Sequence, residues 1–349
     1  MAIKGPQPLP PLTERIADHL DVKPSSLPGH YESVSTGNKR GAKDASAYGG
    51  WSIGVGVRAA FASLSTAKYP SQNYHLYSAV GNFLGPALGG EKALCAVRSI
   101  RDTRTFATRL VEVKQQVRGE VRTVMTILCD FQAEENGVDL VYSAPPRGTY
   151  AHWSKIEPVD ERRETLLKKG IVTEEEAKFH ASALRMIYHY FDNRPCPEGI
   201  FGQNLSGLAS HVKTTQDHLP MTQKTTADWF RVRDGKAGGL STPAEHVGAV
   251  AFLMDCFLAF SPLVFTHRSF FDAAAVGSID FAFRLFERND KIDFSQWHLR
   301  EVVTVAAAEG RTYSEARLWN EDGKIIANMT QQSILRPLPG SKKEPLSLL

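Results

Sequence analysis

The sequence predicts an α+β protein in which one unit, a helix followed by a four-strand antiparallel meander, occurs twice. Three observations carry this. Two stretches are apolar or small on nearly every face, WSIGVGVRAAFASLSTA from Trp51 and HVGAVAFLMDCFLAF from His246, and helices hydrophobic all round are buried ones. Each is followed by four strand-like runs. The two copies also share landmarks: Arg104-Thr105-Phe106 opens the third run of the first copy and Arg311-Thr312-Tyr313 the third of the second, each ahead of a glycine turn.

Residues 1–28 are Pro-rich and polar, with one short amphipathic piece, LTERIADHLDV. Strand-like sequence begins near Tyr31, and GNKRGAKDASAYGG reads as a loop closed by Gly49-Gly50. In the first apolar helix, Gly54 and Gly56 would each cost about 1 kcal/mol in isolation, so their use is close packing against the backbone. Strand runs follow at Asn73–Leu84, Glu91–Ile100, Thr105–Gln116 and Val121–Gln132, with Arg118-Gly119 as a hairpin turn. Residues 137–225 break the pattern. Polar loops there surround Asp160–Asp192, whose Leu166, Leu167, Ala177, Leu184, Ile187 and Tyr188 have helical spacing, which predicts a linker with an accessory helix or helix pair. A strand at Ala227–Val232 and a Gly-rich loop lead to the second helix, from about Pro243. Runs at Ser278–Phe286, Gln296–Ala306, Thr312–Trp319 and Lys324–Leu335 follow, with Asp322-Gly323 turning before the last.

A meander with one apolar face needs that face covered, and the only fully apolar element in each copy is its helix. Each sheet is therefore expected to curl around its own helix. This is the hotdog arrangement, here a double hotdog: two antiparallel sheets, each wrapped around a central helix. The domains it predicts are an N-terminal extension (1–28), a first hotdog (29–136), a linker or insert with an accessory helix (137–225), a second hotdog (226–337) and a C-terminal tail (338–349).

A chain of 349 residues with 42% hydrophobic and 23% charged side chains can bury a large core. Its net charge of +3 is spread over interspersed acids and bases, which excludes nucleic acid and anionic membrane surfaces as expected partners. The segment MAIKGPQPLPPLTER has no apolar core for a signal peptide. The one membrane-length run, 247–265, carries Asp255 near its middle, at a cost of about 2.5–3.5 kcal/mol on insertion scales, so no membrane span is expected. The chain ends in Ser347-Leu348-Leu349, not the peroxisomal SKL, and a cytoplasmic location is the expectation. Cys95, Cys129, Cys196 and Cys256 are widely spaced and sit mostly in apolar runs, as reduced, packed thiols would. No metal-ligand spacing and no nucleotide-binding glycine pattern occurs, so neither metal nor cofactor is expected.

Asp255 is the candidate that chemistry singles out. A carboxylate inside an apolar helix costs several kcal/mol unless it is paired or hydrogen-bonded, so partners are expected. Gly50-Trp51-Ser52-Ile53-Gly54 matches the nucleophile elbow G-x-S-x-G, but that elbow needs a buried strand immediately before it. The preceding GAKDASAY is polar, and Ser52 is not taken as a nucleophile.

At YGGWSIGVGVRAAFASL (48–64), VRSIRDTRTFATRLVEVKQ (97–115), HVGAVAFLMD (246–255), GSIDFAF (277–283) and DGKIIANMTQQSILR (322–336) the sequence resembles the type II acyl-CoA thioesterases, the double-hotdog enzymes related to bacterial thioesterase II. The RDxRxFxTR segment is the most specific of these pieces. The resemblance implies an acyl-thioester hydrolase of lipid metabolism, acting on a fatty-acyl or polyketide-type thioester such as an acyl-CoA, with further pairing of sheets into an oligomer. It also implies that an Asp of the second helix, a Thr or Ser at the next strand's start and a Gln on the last strand hold the attacking water; these positions fall on Asp255, Ser278 and Gln331. Backbone N–H groups at a helix N-terminus are suited to the oxyanion.

The chain departs from the family pattern at Trp51, where a Gln is usual, and at FLGPA (83–87) and FRLFER (283–288), which replace FLRPG and WFHRPF. If the lost basic positions hold CoA phosphates, a carrier protein or a free biosynthetic ester is an alternative carrier of the acyl group. Two other readings stay open. A hotdog dehydratase needs a His–acid pair, and only His246 and His298 lie in the second repeat's main elements. A non-catalytic acyl-binding protein would keep its function without Asp255.

Overall fold

A computed structural model describes residues 12–38, 46–135, 137, 139–233, 239–269 and 272–340. Residues 1–11 of the predicted extension, 39–45 of the first loop, 234–238 of the Gly-rich loop and 341–349 of the predicted tail lie outside the described residues. The chain runs α1 (Ile16–His19), β1 (Val22–Pro24), β2 (His30–Ser33), α2 (Gly49–Ala62), β3 (Tyr74–Phe83), β4 (Leu94–Asp102), β5 (Phe106–Val117) and β6 (Glu120–Ala133). Then come α3 (Val159–Lys168), α4 (Glu174–Ala183), α5 (Arg185–Tyr190), β7 (Phe191–Pro195), α6 (Ile200–Gln203), β8 (Thr225–Val232), α7 (Pro243–Met254) and α8 (Ser261–Phe265). The last four strands are β9 (Ala275–Leu285), β10 (His298–Ala308), β11 (Arg311–Asn320) and β12 (Ile325–Arg336). This is the α+β double hotdog. The described residues fall into two units, one within Met1–Gly137, Val232–Asp255 and Arg288–Ser295, the other within Val138–Arg231, Cys256–Glu287 and Gln296–Leu349.

In the first unit the strands lie in the order β1-β2-β4-β5-β6-β3. The hairpin between β5 and β6 turns on Arg118 (φ 52°) and Gly119 (φ 85°), the pair of left-handed residues a type I′ turn requires. α2 lies against this sheet. A Cβ on Gly56 would stand 2.6 Å from Ile127 Cδ1, and Phe61 meets the Phe131 ring edge-on at 5.1 Å.

The opposite side of α2 is taken by α7, running antiparallel. A Cβ on Gly54 would come within 3.4 Å of the Gly248 carbonyl and 2.9 Å of Leu20 Cδ2, and Tyr48 Oη donates to the Phe252 carbonyl at 2.8 Å. Gly50 is the tightest point, its missing Cβ only 2.4 Å from the Phe252 carbonyl oxygen and 2.5 Å from the Tyr48 ring. Gly50→Ala is therefore expected to destabilise the protein by about 1–3 kcal/mol, read as a lower urea midpoint.

α7 starts with a capping box between Thr242 and Glu245 and with Pro243 in its first turn. It stops earlier than the apolar run predicts. The stretch 246–260 is not one helix: Met254 is the last helical residue, Asp255 is the C-cap, and Phe257 turns the chain at φ 67°. A short α8 restarts at Ser261, with Pro262 in its first turn.

The second unit's strands lie in the order β9-β12-β11-β10-β8-β7. Its edge strand β7 lies in the stretch read from sequence as linker, after three short helices rather than one or two. Residues 144–151 of the insert pack on the face of β8, β10 and β11 that carries Trp229, Glu301 and Trp319. Trp229 Nε1 donates to the Ala151 carbonyl at 3.0 Å and Trp319 Nε1 to the Ala144 carbonyl at 2.9 Å. The Glu301 carboxylate accepts from Arg147 N, Gly148 N and Tyr150 Oη at 2.8–3.1 Å. The paired parts of β8 and β10 are thus buried on both faces.

Within the insert, His180 is buried between Arg163 Nη1 (3.4 Å from Nδ1) and Tyr188 Oη (3.0 Å from Nε2). A guanidinium only donates, so Nδ1 is the acceptor and Nε2–H faces the hydroxyl. Burial, and then the Arg163 charge, push the imidazole down to about 3. The unfolded ring binds its proton near pH 6.5, so between these values the unfolded chain holds more protons. This group's contribution to stability is therefore lost as pH falls from about 6.5 toward 3. Urea midpoints at pH 7 and 4.5 are expected to differ less for His180→Gln than for the wild type.

All four cysteines are buried and free, and burial pushes the Cys95 thiol up to about 12. Among the described residues, no helix is long and apolar enough to cross a membrane.

Candidate active site

Asp255 is 7% exposed and sits at the C-terminal end of α7, the electrostatically unfavourable end for an anion. What offsets this is the other helix of its unit. A Cβ on Gly49 would stand 3.0 Å from Asp255 Oδ2 and 3.3 Å from the Phe83 ring. The carboxylate therefore lies against the first residue of the 14-residue helix α2. The first N–H groups of a helix have no acceptor within it and carry its positive end. Gly49 permits the approach because it has no side chain there; the sequence reading gave the paired glycines only a loop-closing role.

Ser278 and Gln331 belong to the second unit. Gln331 is 1% exposed on β12, directly opposite Ser314 on β11 and Phe281 on β9. Ser278 on β9 pairs with Ser333. Residues opposite one another in a ladder share a face, as do residues two apart in a strand. Ser278, Ser333 and Gln331 therefore line one face of β9 and β12, and the sheet brings Ser278 and Gln331 to neighbouring positions on it. Across from them on β11 stand Thr312 and Ser314, and Ser314 Oγ lies 3.2 Å from Ser261 Oγ at the start of α8. This band of hydroxyls was not picked out from sequence. Its signal is a small polar residue at alternate positions of two runs, which becomes a band only once the register is known.

The RDxRxFxTR segment builds a frame within the first unit. Arg109, its last residue, is 2% exposed and pairs with Asp102 at 2.8 Å. Its other N–H groups reach Ser63 Oγ, Ser99 Oγ and the carbonyls of Arg101 and Thr108 at 3.0–3.3 Å. The end of α2 is thereby tied to the β4–β5 turn. Arg101 lies over the Phe106 ring at 4.8 Å and 3.7 Å from Asp130, a strand-face contact, and Arg104 is exposed.

The two histidines of the second repeat are committed to backbone. His246 Nδ1 accepts from Phe294 N at 3.0 Å, and burial lowers its pKa. His298 Nδ1 lies 2.9 Å from the Gln296 carbonyl, to which it donates. Trp51, at the family's usual Gln position, is fully buried and donates through Nε1 to the His19 carbonyl at 3.2 Å.

The sequence matches two family models, the acyl-CoA thioesterase N-terminal domain over residues 39–132 and the acyl-CoA thioesterase C-terminal domain over residues 191–335. Among solved structures, it is similar to acyl-CoA thioesterase II TesB2 from Mycobacterium marinum, with 20% identity, a TM-score of 0.62, and coverage of 93% of this chain and 99% of that one. A tesB protein of Mycobacterium avium subs paratuberculosis gives 13% identity and a TM-score of 0.62, over 92% and 98% of the two chains. A hot dog fold protein of unknown function from Alicyclobacillus acidocaldarius gives 14% and 0.61, over 92% and 97%. No curated protein sequence matches the chain.

Proposed function

The chain belongs to the acyl-CoA thioesterase family and is a thioester hydrolase, and from that premise we propose that it hydrolyses fatty-acyl or polyketide-type acyl thioesters with a water activated by Asp255. The observation that carries this is the Asp255 carboxylate, buried against the Gly49-Gly50 start of α2. In the proposed reaction the water oxygen adds to the thioester carbonyl carbon as its proton passes to Asp255. The charge that develops on the carbonyl oxygen is met by the first N–H groups of α2. The C–S bond then breaks, the proton returns to the thiolate, and a carboxylic acid and a free thiol leave. Ser278 and Gln331 are assigned by resemblance to the orientation of the water, a hydroxyl and an amide offering both donors and acceptors. We assign the protein to acyl metabolism in the cytoplasm, with coenzyme A as the first carrier to test.

Thiol release from a series of acyl-CoA esters of increasing length, followed with a chromogenic disulfide, tests the reading. Steady release by the wild type, abolished in Asp255→Asn, is the expected result. If a folded wild type releases no thiol from any CoA ester but hydrolyses the matching pantetheine or N-acetylcysteamine thioesters, the carrier assignment falls and the chemistry stands.

A further inference from the structure

The residue bonded to Asp255 is gripped by a buried ion pair. Arg300, on β10, is 1% exposed, and its Nη1 donates to the Cys256 carbonyl at 3.1 Å. On the ladder it stands directly opposite Asp228 of β8, which is also buried; Arg300 Nη2 is 3.7 Å from Asp228 Oδ2. The guanidinium also lies over the Phe230 ring at 4.8 Å. Just beyond the gripped carbonyl, Phe257 holds a left-handed φ of 67°, a conformation that bulky residues avoid. Phe201 packs against the Phe257 ring at 4.9 Å.

Stability alone does not explain this arrangement. Taking two charges out of water is costly, and well-packed hydrophobic side chains of similar volume commonly do as well or better. The last carbonyls of a helix can be satisfied by water or by a flexible Lys. What a planar guanidinium braced by a carboxylate and an aromatic face provides in addition is direction. The carbonyl it fixes is that of Cys256, the residue after Asp255, so the backbone just beyond the end of α7 is anchored rather than left to fray. We propose that Arg300, oriented by Asp228, is a positioning residue that holds the end of α7 so that the Asp255 carboxylate keeps its reactive direction. The inference rests on Asp255 as the proton acceptor.

The test separates direction from stability. In Arg300→Met/Asp228→Leu both charges go and the volume is kept, so the melting temperature is expected to stay within a few degrees of the wild type. Its kcat for thiol release from the best acyl-CoA, or from the best pantetheine ester if CoA esters are not cleaved, is expected to fall about tenfold or more. KM is expected to stay within about twofold. Arg300→Lys keeps a cation and a donor and should recover part of kcat. A folded double variant with wild-type kcat overturns the proposal, as does an Arg300→Lys whose kcat falls only with its folded fraction. Asp255→Asn run alongside keeps the two readings apart. If it retains activity, the assignment of Asp255 itself fails; if it is dead while the double variant is fully active, only the positioning role fails.

Discussion

Asp255→Asn is expected to lower kcat for thioester hydrolysis by a factor of about 10²–10⁴, the range for loss of a positioned acid–base group. The substitution is isosteric, so packing against Gly49 is preserved and KM should change little. What is lost is the capacity to take a proton from water and return it to the leaving thiolate. The amide also places a donor where the positive end of α2 favours an acceptor, so a modest fall in stability should accompany the kinetic loss. Steady-state thiol release read beside a thermal melt distinguishes the two effects. A folded variant with wild-type kcat would remove Asp255 from the chemistry.

Arg109→Met should unfold the protein more readily than any other single substitution considered, by about 3–5 kcal/mol, the cost of breaking a buried ion pair from one side. It leaves Asp102 without its cation and cuts the ties from Arg109 to Ser63, Ser99 and two backbone carbonyls at once. The double variant Arg109→Met/Asp102→Asn should recover part of the loss, because no uncompensated charge remains. Chemical denaturation of the four proteins in the cycle gives the coupling directly. A coupling near zero would mean that the two side chains act independently.

The fold was largely legible because its signals are local. β5, expected over Thr105–Gln116, spans Phe106–Val117, and the turn at Arg118-Gly119 could be read from composition alone. α7 shows where such reasoning stops. An unbroken apolar run says that a segment is buried, not where its helix ends, and nothing in the residue type of Phe257 announces a left-handed turn. Asp255 could be found from the cost of burying a charge, whereas Ser278 and Gln331 came only from family resemblance. Their shared face depends on a register with an irregularity between Gln332 and Ser333, and no pattern in one strand reports its partner's alignment. The RDxRxFxTR segment stood out as the most specific piece of the resemblance, but nothing in its residue types said that the buried work falls to Arg109. Arg300 and Asp228 were passed over because polar residues in strands are expected to face water.

The antiparallel seating of α2 on α7 joins residues 204 positions apart, Tyr48 and Phe252. During synthesis at roughly 5–20 residues per second, the glycine-marked side of α2 leaves the ribosome many seconds before its cover exists. The nascent first unit is an incomplete object for that interval, with small apolar surface open to chaperones or to another chain. The segment that ends in Asp255 brings that cover, ahead of Arg288–Ser295, the last piece of the unit. Covering of α2 and arrival of the proposed proton acceptor are therefore one event in the life of the molecule, and a chain cut short before that point would lack both.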